Sequence, residues 1–152
     1  MTSTSKSVLN ETSDFVLKCR LGGGGNDTLK ETSGRNLLIG GTGGDLLQGG
    51  TDEDLLLSGS STYESDAVAL NALLAEWASA NPYQTRIDHL LGTSGGGFNG
   101  NSILSPSTVT NDTFIDYLTG NAGQDWFLDS SLQDIITDKA ANEAFTDINT
   151  WV

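Results

Sequence analysis

GGGGNDTLK, ETSGRNLLI, GGTGGDLLQ, GGTDEDLLL: residues 22–57 fall into consecutive units of nine. Position six of each unit is Asp27, Asn36, Asp45 and Asp54, and position eight is Leu29, Leu38, Leu47 and Leu56. The first and third units satisfy G-G-x-G-x-D-x-U-x in full, where U is a large apolar residue. A flexible glycine-rich linker has a similar composition, but nothing in a linker keeps leucine in step with Asp or Asn. The fixed period predicts a repeat architecture. Each unit is a turn of about six residues and a strand of about three, so two units complete a circuit of about eighteen.

That geometry has a chemical consequence. Glycine lets neighbouring backbones approach closely and takes up positive φ, so several carbonyl oxygens can converge. A hard cation such as Ca²⁺ takes about six to eight oxygen ligands. Backbone oxygens from loop positions such as Gly22, Gly24, Gly40 and Thr42, with one aspartate from each of two stacked turns, would suit it. Turns two units apart lie on the same edge, so Asp27 is expected to face Asp45, and Asn36 to face Asp54. The first pair joins two intact loops and is expected to be the stronger site. The second has an amide for a carboxylate and lacks glycine at Glu31, Thr32 and Asp52, so it is expected to be weaker or empty.

These nonapeptides resemble the repeats-in-toxin (RTX), hemolysin-type calcium-binding repeats of bacterial extracellular proteins. The resemblance is strong over 22–57 and moderate over 111–137; the remaining residues lie outside the motif. It implies a calcium-dependent parallel β-roll, loose before export, usually by type I secretion, and folded outside the cell.

The bulk composition agrees with a cation-binding role. The chain has 152 residues, one domain by length, and 20 acidic against 7 basic residues, for a formal charge of −13. That balance argues against nucleic acid and anionic membrane surfaces, which select for Lys and Arg. Cys19 is the only cysteine, which excludes an internal disulfide; it reads as a strand residue and not as a catalytic thiol. No apolar run of signal-peptide length opens the sequence, and none approaches a membrane span. Export without an N-terminal signal is therefore expected.

Outward from the repeat, residues 1–12 are Ser/Thr-rich and expected to be loose. Residues 14–21 alternate Phe15, Leu17, Cys19 and Leu21, a strand pattern leading into the roll and covering its first circuit. Within the repeat, positions seven and nine point outward. On one sheet they are Thr28, Lys30, Leu46 and Gln48, mostly polar. On the other they are Leu37, Ile39, Leu55 and Leu57, an apolar face that needs a cover. Residues 61–92 supply a helical hairpin. Ser61 and Glu64 offer a capping box with Ser65 as a rival N-cap, and Leu70, Leu73, Leu74 and Trp77 form a stripe at helical spacing. Asn81-Pro82 restarts a helix with an N-cap and a first-position proline, Tyr83, Ile87, Leu90 and Leu91 mark its apolar face, and Gly92 closes it. A partner-binding amphipathic pair is the alternative. His89, beside Asp88, has no Ser or Cys nucleophile spaced to serve it, so no active site is placed there.

Residues 93–110 form a Gly/Ser-rich loop tacked down by Phe98, Ile103, Leu104 and Val109. The repeat then returns as NDTFIDYLT, GNAGQDWFL, DSSLQDIIT over 111–137. Asp116, Asp125 and Asp134 hold position six; Leu118, Phe127 and Ile136 hold position eight. Only the middle unit keeps much glycine, which weakens the carbonyl set on either side, although Asp116 can pair with Asp134. Outward Tyr117, Trp126 and Ile135 imply a cover here too. Residues 138–152 suggest a short helix over 139–145 and an acidic-then-apolar end that resembles the family's uncleaved export signals; a capping tail with Trp151 over the last circuit is the plainer alternative.

The expected fold is mostly β: a parallel β-roll (β-solenoid) with an inserted α-helical hairpin. Its parts are a first block over 13–57, the hairpin over 61–92, the loop over 93–110, a second block over 111–137 and a cap or export tail over 138–152. The expected function is that of an extracellular module that folds on binding calcium. The rivals are a self-assembling structural or adhesive protein and the C-terminal secretion module of a larger enzyme. The chain holds neither H-E-x-x-H nor G-x-S-x-G, so it is not expected to be an enzyme itself. Calcium ions and possible self-association are the expected partners, without nucleic acid or membrane insertion.

Overall fold

The computed structural model describes residues 6–10, 17–130 and 132–151. Expectations for residues 1–5, 11–16, 131 and 152 lie outside them. The elements are β1 (Lys6–Asn10), β2 (Leu17–Gly24), β3 (Thr28–Lys30), β4 (Leu37–Thr42), β5 (Leu46–Gln48), β6 (Leu55–Leu57) and β7 (Ser60–Ser61), then α1 (Ala67–Trp77) and α2 (Tyr83–Leu90), then β8 (Val109–Thr110), β9 (Tyr117–Thr119), β10 (Trp126–Asp129), β11 (Ile135–Ile136) and β12 (Ala144–Asp147). Most strands are parallel. They form a larger sheet ordered β1-β2-β4-β6-β10-β12 and a smaller one ordered β11-β9-β5-β3, while β7 and β8 pair separately. From β2 to β6, and again from β9 to β12, successive strands alternate between the two sheets.

The nonapeptide period sets the register. Leu29 pairs with Leu47 and Leu38 with Leu56; the ladders then continue without a gap, Leu47 to Leu118 and Leu56 to Phe127. The second block therefore stacks directly on the first. The chain between them leaves after Leu57 and returns through the antiparallel β7–β8 pair. Position-eight side chains Leu29, Leu38, Leu47, Leu56, Leu118 and Phe127 fill the space between the sheets, with Ile136 packed against them. Each buried leucine is worth about 1.5–3 kcal/mol, so the strict period at this position is a packing requirement.

The outer faces of the two sheets differ as their sequences demand. Thr28 and Lys30 are exposed, whereas Leu37, Ile39, Leu55 and Leu57 are buried. The cover is the hairpin: Leu70, Leu73, Leu74 and Trp77 of α1 and Ile87 and Leu90 of α2 pack into the same cluster as those sheet residues and Trp126. The two apolar stripes thus serve the core of the chain itself. Trp77 lies 5.8 Å from Tyr83 and 5.9 Å from Trp126, ring centre to ring centre, and its indole N–H donates to the Glu53 carbonyl at 3.0 Å. Arg86 sits 4.7 Å over the Trp77 ring and is buried. It donates to the carbonyls of Trp77 and Asn81 and pairs with Glu53, so its charge is neutralised where it lies.

Several local expectations are corrected. Lys6–Asn10 is not loose: it forms β1, antiparallel to β2, and is the terminal strand of the larger sheet, so β2, expected to cover the first circuit, lies one place inside it. The α1 N-cap is Asp66, whose Oδ1 accepts from Val68 and Ala69 N–H; in the preceding turn Glu64 Oε1 accepts from Ser61 N–H and Ser61 Oγ from Tyr63 N–H. Asn81 does not cap α2, because its amide is drawn to Glu76. Residues 139–145 hold no helix; Ala144–Asp147 forms β12 alongside β10, since strand pairing with Trp126–Asp129 outweighs the weak local helical pattern. Trp126 is covered, but Tyr117 and Ile135 stay exposed, because the hairpin covers only the larger sheet. Phe98, expected to anchor the loop, is 68% exposed, whereas Leu104 and Val109 are buried. Trp151 does pack against the covered cluster. Among the described residues no helix is long and apolar enough to cross a membrane.

Candidate metal-binding ladder

Position-six residues meet as the period requires. The Asp27 N–H donates to Asp45 Oδ1 at 2.7 Å, Asp45 N–H to Asp116 Oδ1 at 2.6 Å, and Asp116 N–H to Asp134 Oδ1 at 3.0 Å. On the opposite edge the Asn36 N–H donates to Asp54 Oδ1 at 2.8 Å, and Asp54 N–H to Asp125 Oδ1 at 2.7 Å. Both expected facing pairs of the first block are present, as is Asp116 with Asp134. Two contacts were not read from the sequence, Asp45 with Asp116 and Asp54 with Asp125. Their partners are 71 residues apart and not 18, because the whole insertion lies between them.

Oδ1 of Asp45, Asp54, Asp116, Asp125 and Asp134 is used in this way, while Asp27, first in its column, only donates. Among the described residues, Oδ2 of Asp27, Asp45, Asp116 and Asp125 is buried and has no hydrogen-bond partner, and neither has Asn36 Oδ1. An ionised carboxylate in that state is costly unless a positive charge meets it. The charges are held back accordingly. Burial pushes Asp45, Asp116 and Asp125 each up to about 7, although the N–H donated to Oδ1 opposes the shift. Burial raises Asp54 to about 6, less far because Gly50 and Asn36 both donate to it, and raises Asp27 as well.

Glycine at position one makes room for these side chains. A Cβ on Gly22 would overlap the Gly40 carbonyl and come within 3.0 Å of Asp27 Oδ2; one on Gly40 would lie 2.5 Å from the Ser58 carbonyl and 2.7 Å from Asp45 Oδ2. Gly24 and Thr42 are in register on the exposed rim, and the Thr42 carbonyl already accepts from Gly25 N–H at 2.8 Å. Where glycine is missing from position one, the fold has other uses for it: Glu31 is buried and pairs with Lys18 and Arg20.

Asn36 shows what the ladder looks like when a donor is built in. Its side-chain nitrogen reaches the Gly34 carbonyl at 2.7 Å, the Ser33 carbonyl at 3.3 Å and Asp54 Oδ1 at 2.9 Å. At the far end Asp134 has both oxygens engaged, by Asp116 N–H and Ser130 N–H. Beside it lies Asp129, which the sequence reading passed over; burial and the neighbouring Asp134 push it to about 8. Its only sequence signal is that it opens a nonapeptide where glycine is usual. Among the described residues no three Asp, Glu, His or Cys side chains gather closely enough to form a metal cage by themselves. A cation here would need two carboxylates of one edge together with backbone carbonyls, as the glycine pattern suggested.

A second polar cluster, also passed over, lies at the hairpin. Glu76 is fully buried, and its oxygens accept from Asn81 Nδ2, from Phe98 N–H and, at 2.7 Å, meet His89 Nδ1. Burial raises this carboxyl, but those hydrogen bonds outweigh it and leave the group below its ordinary value. Cys19 is buried, and its thiol is pushed up to about 12 by burial and by Glu64, so it is inert. Comparison with known proteins adds nothing to this geometry: no family model, no curated protein and no solved structure matches the chain.

Proposed function

We propose that the chain is an RTX-like calcium-binding module, a parallel β-roll whose folding is driven by ion binding. Buried, unpartnered Oδ2 atoms on Asp27, Asp45, Asp116 and Asp125 carry this reading. Asp27 with Asp45, Asp45 with Asp116, and Asp54 with Asp125 would hold the ions, together with backbone carbonyls of the glycine turns. The Asn36–Asp54 step would stay empty, since the Asn36 amide already occupies the place of a donor.

Bound calcium supplies positive charge to carboxylates that burial otherwise keeps from ionising. The chain's own residues do the rest. Position-one glycines leave space beside Asp27, Asp45, Asp54 and Asp125, backbone N–H groups hold Oδ1 of Asp45, Asp54, Asp116 and Asp125, and the leucine column holds consecutive turns at one spacing. Because facing turns exist only in the folded chain, ion affinity becomes folding free energy. Where free calcium is scarce, the charge of −13 favours an open chain, suited to export. Where calcium is abundant, outside the cell, the turns close. On this reading the chain is a binding module and not an enzyme. Far-UV circular dichroism at pH 8, with calcium and then with excess chelator, tests it: strand signal should be lost on chelation and regained on re-addition. Identical spectra would remove calcium from the account.

A further inference from the structure

Beyond the calcium ladder, the hairpin insertion holds a second pocket with a different chemistry. It has a volume of about 350 Å³ and is lined by His89, by most of the loop over residues 92–101, and by Ile103. That is at the lower end of the size range for small-molecule sites. Although the chain carries 20 acidic and 7 basic residues, none of the described residues lining this pocket is Asp, Glu, Lys or Arg.

The pocket is built, and its construction starts from Glu76. This buried carboxylate fixes both ends of the loop, through His89 Nδ1 at 2.7 Å and Phe98 N–H at 2.8 Å. The carboxylate holds His89 Nδ1 and so orients the ring, leaving Nε2 as its other polar atom. Asn99, also buried, donates its amide to the His89 and Ser102 carbonyls at 3.0 and 2.9 Å, which turns its Oδ1 towards Gly97. Gly97 has to be glycine, since a Cβ would lie 2.7 Å from His89 Cβ. The backbone N–H groups of Gly95, Gly96 and Gly97 donate to no atom of the described residues. Phe98, between two lining residues, is 68% exposed.

The groups on offer therefore comprise donors (the glycine amides), an acceptor (Asn99 Oδ1), and the His89 ring, Ser94 hydroxyl and Asn101 amide; the exposed Phe98 ring does not line the pocket but stands in the same loop between Gly97 and Asn99. A metal ion would want carboxylates, and a strongly bound anion would want Lys or Arg; the pocket has neither. We propose that it binds a neutral saccharide unit. Sugar hydroxyls donate and accept at once, which matches the mixed polar lining, and the C–H face of a pyranose ring packs on an aromatic face such as Phe98.

The test is a titration of the ¹⁵N-labelled, calcium-loaded full chain, followed by amide chemical shifts, with the methyl glycosides of glucose, galactose, mannose and N-acetylglucosamine. Inorganic phosphate and acetate serve as the anion arm. At least one glycoside should give saturable shifts confined to residues 89–103, and Phe98→Ala should weaken it by roughly threefold to tenfold. That substitution removes an exposed side chain, and the same spectra report whether the fold persists. Asn101→Ala should weaken binding as well. The proposal fails if no glycoside shifts these amides saturably, if phosphate or acetate shifts them and no glycoside does, or if neither substitution alters the affinity. Failure of the calcium reading would show separately, as a chain whose circular dichroism ignores chelator, and would leave this titration readable, since such a chain keeps its fold and the ladder and the pocket share no residue.

Discussion

Replacing Asp45 with asparagine should change stability in opposite directions with and without calcium. Asp45 Oδ1 accepts the Asp27 N–H at 2.7 Å, and an asparagine oxygen can keep that bond. The substitution removes only the charge on a carboxyl that burial has pushed from 3.8 to about 7. Since the folded-state value is the higher one, the folded chain holds this proton more tightly than the unfolded chain. The penalty for ionising it is absent below about pH 4, grows through the interval, and is complete above about pH 7. A rise of about three pH units corresponds to about 4 kcal/mol. In chelator, D45N should therefore match the parent near pH 4 and become the more stable chain as pH rises, approaching that limit while both remain folded. In saturating calcium the sign reverses, because the parent gains the ion's binding energy through a carboxylate that the variant lacks. Urea denaturation followed by fluorescence of the buried Trp77 and Trp126 reads both cases. A variant less stable than the parent in chelator at pH 6 to 7, or one stabilised by calcium as much as the parent, would refute the reasoning.

Acid should partly replace calcium. Asp45, Asp116 and Asp125 at about 7 and Asp54 at about 6 are all raised above the ordinary carboxylate value, so each costs stability as pH rises from about 4 towards its folded-state value. The metal-free chain should gain strand signal in circular dichroism as pH falls from 8 to 5, while the calcium-loaded chain changes little. Asp45→Ala should lower calcium affinity in titration calorimetry more than Asn36→Ala, and equal losses would undo the ranking of the two edges. Gly41→Ala should destabilise by several kcal/mol in the urea assay, because φ is +103° and the new Cβ would overlap the Gly23 carbonyl. Gly95→Ala, with nothing within 4 Å and no positive φ, should stay within about 0.5 kcal/mol of the parent.

What the sequence made legible was whatever depends on period. Leu29, Leu38, Leu47 and Leu56 define the inner column, and the pair Leu37 and Ile39 against Thr28 and Lys30 identifies which sheet needs a cover. The same period places Asp27 opposite Asp45. What escaped has no local signature. β1 is a Ser/Thr-bearing stretch whose strand state comes from pairing with β2, a tertiary contact that outweighs intrinsic preference. Asp45 meets Asp116 only because the β7–β8 pair returns the chain to its point of departure. Glu76 reads as a solvent-facing helical residue, and only the fold of the following loop brings Phe98 N–H and His89 to it.

Asn36 gives the ladder its internal control. Its amide nitrogen finds two carbonyls and a carboxylate oxygen within 3.3 Å, so at that turn the backbone has gathered oxygens around a single donor. Asp27, Asp45, Asp116 and Asp125 stand at the same repeat position with an acceptor where Asn36 has a donor; among the described residues each has a buried Oδ2 without a hydrogen-bond partner, as Asn36 has at its own Oδ1, but only the aspartates can carry charge there. Protonation can relieve that at acid pH. On the proposed reading a cation does the same at neutral pH and above. The amide and the ion would then be two answers to one problem of converging oxygens, and only the second could be withdrawn by a chelator.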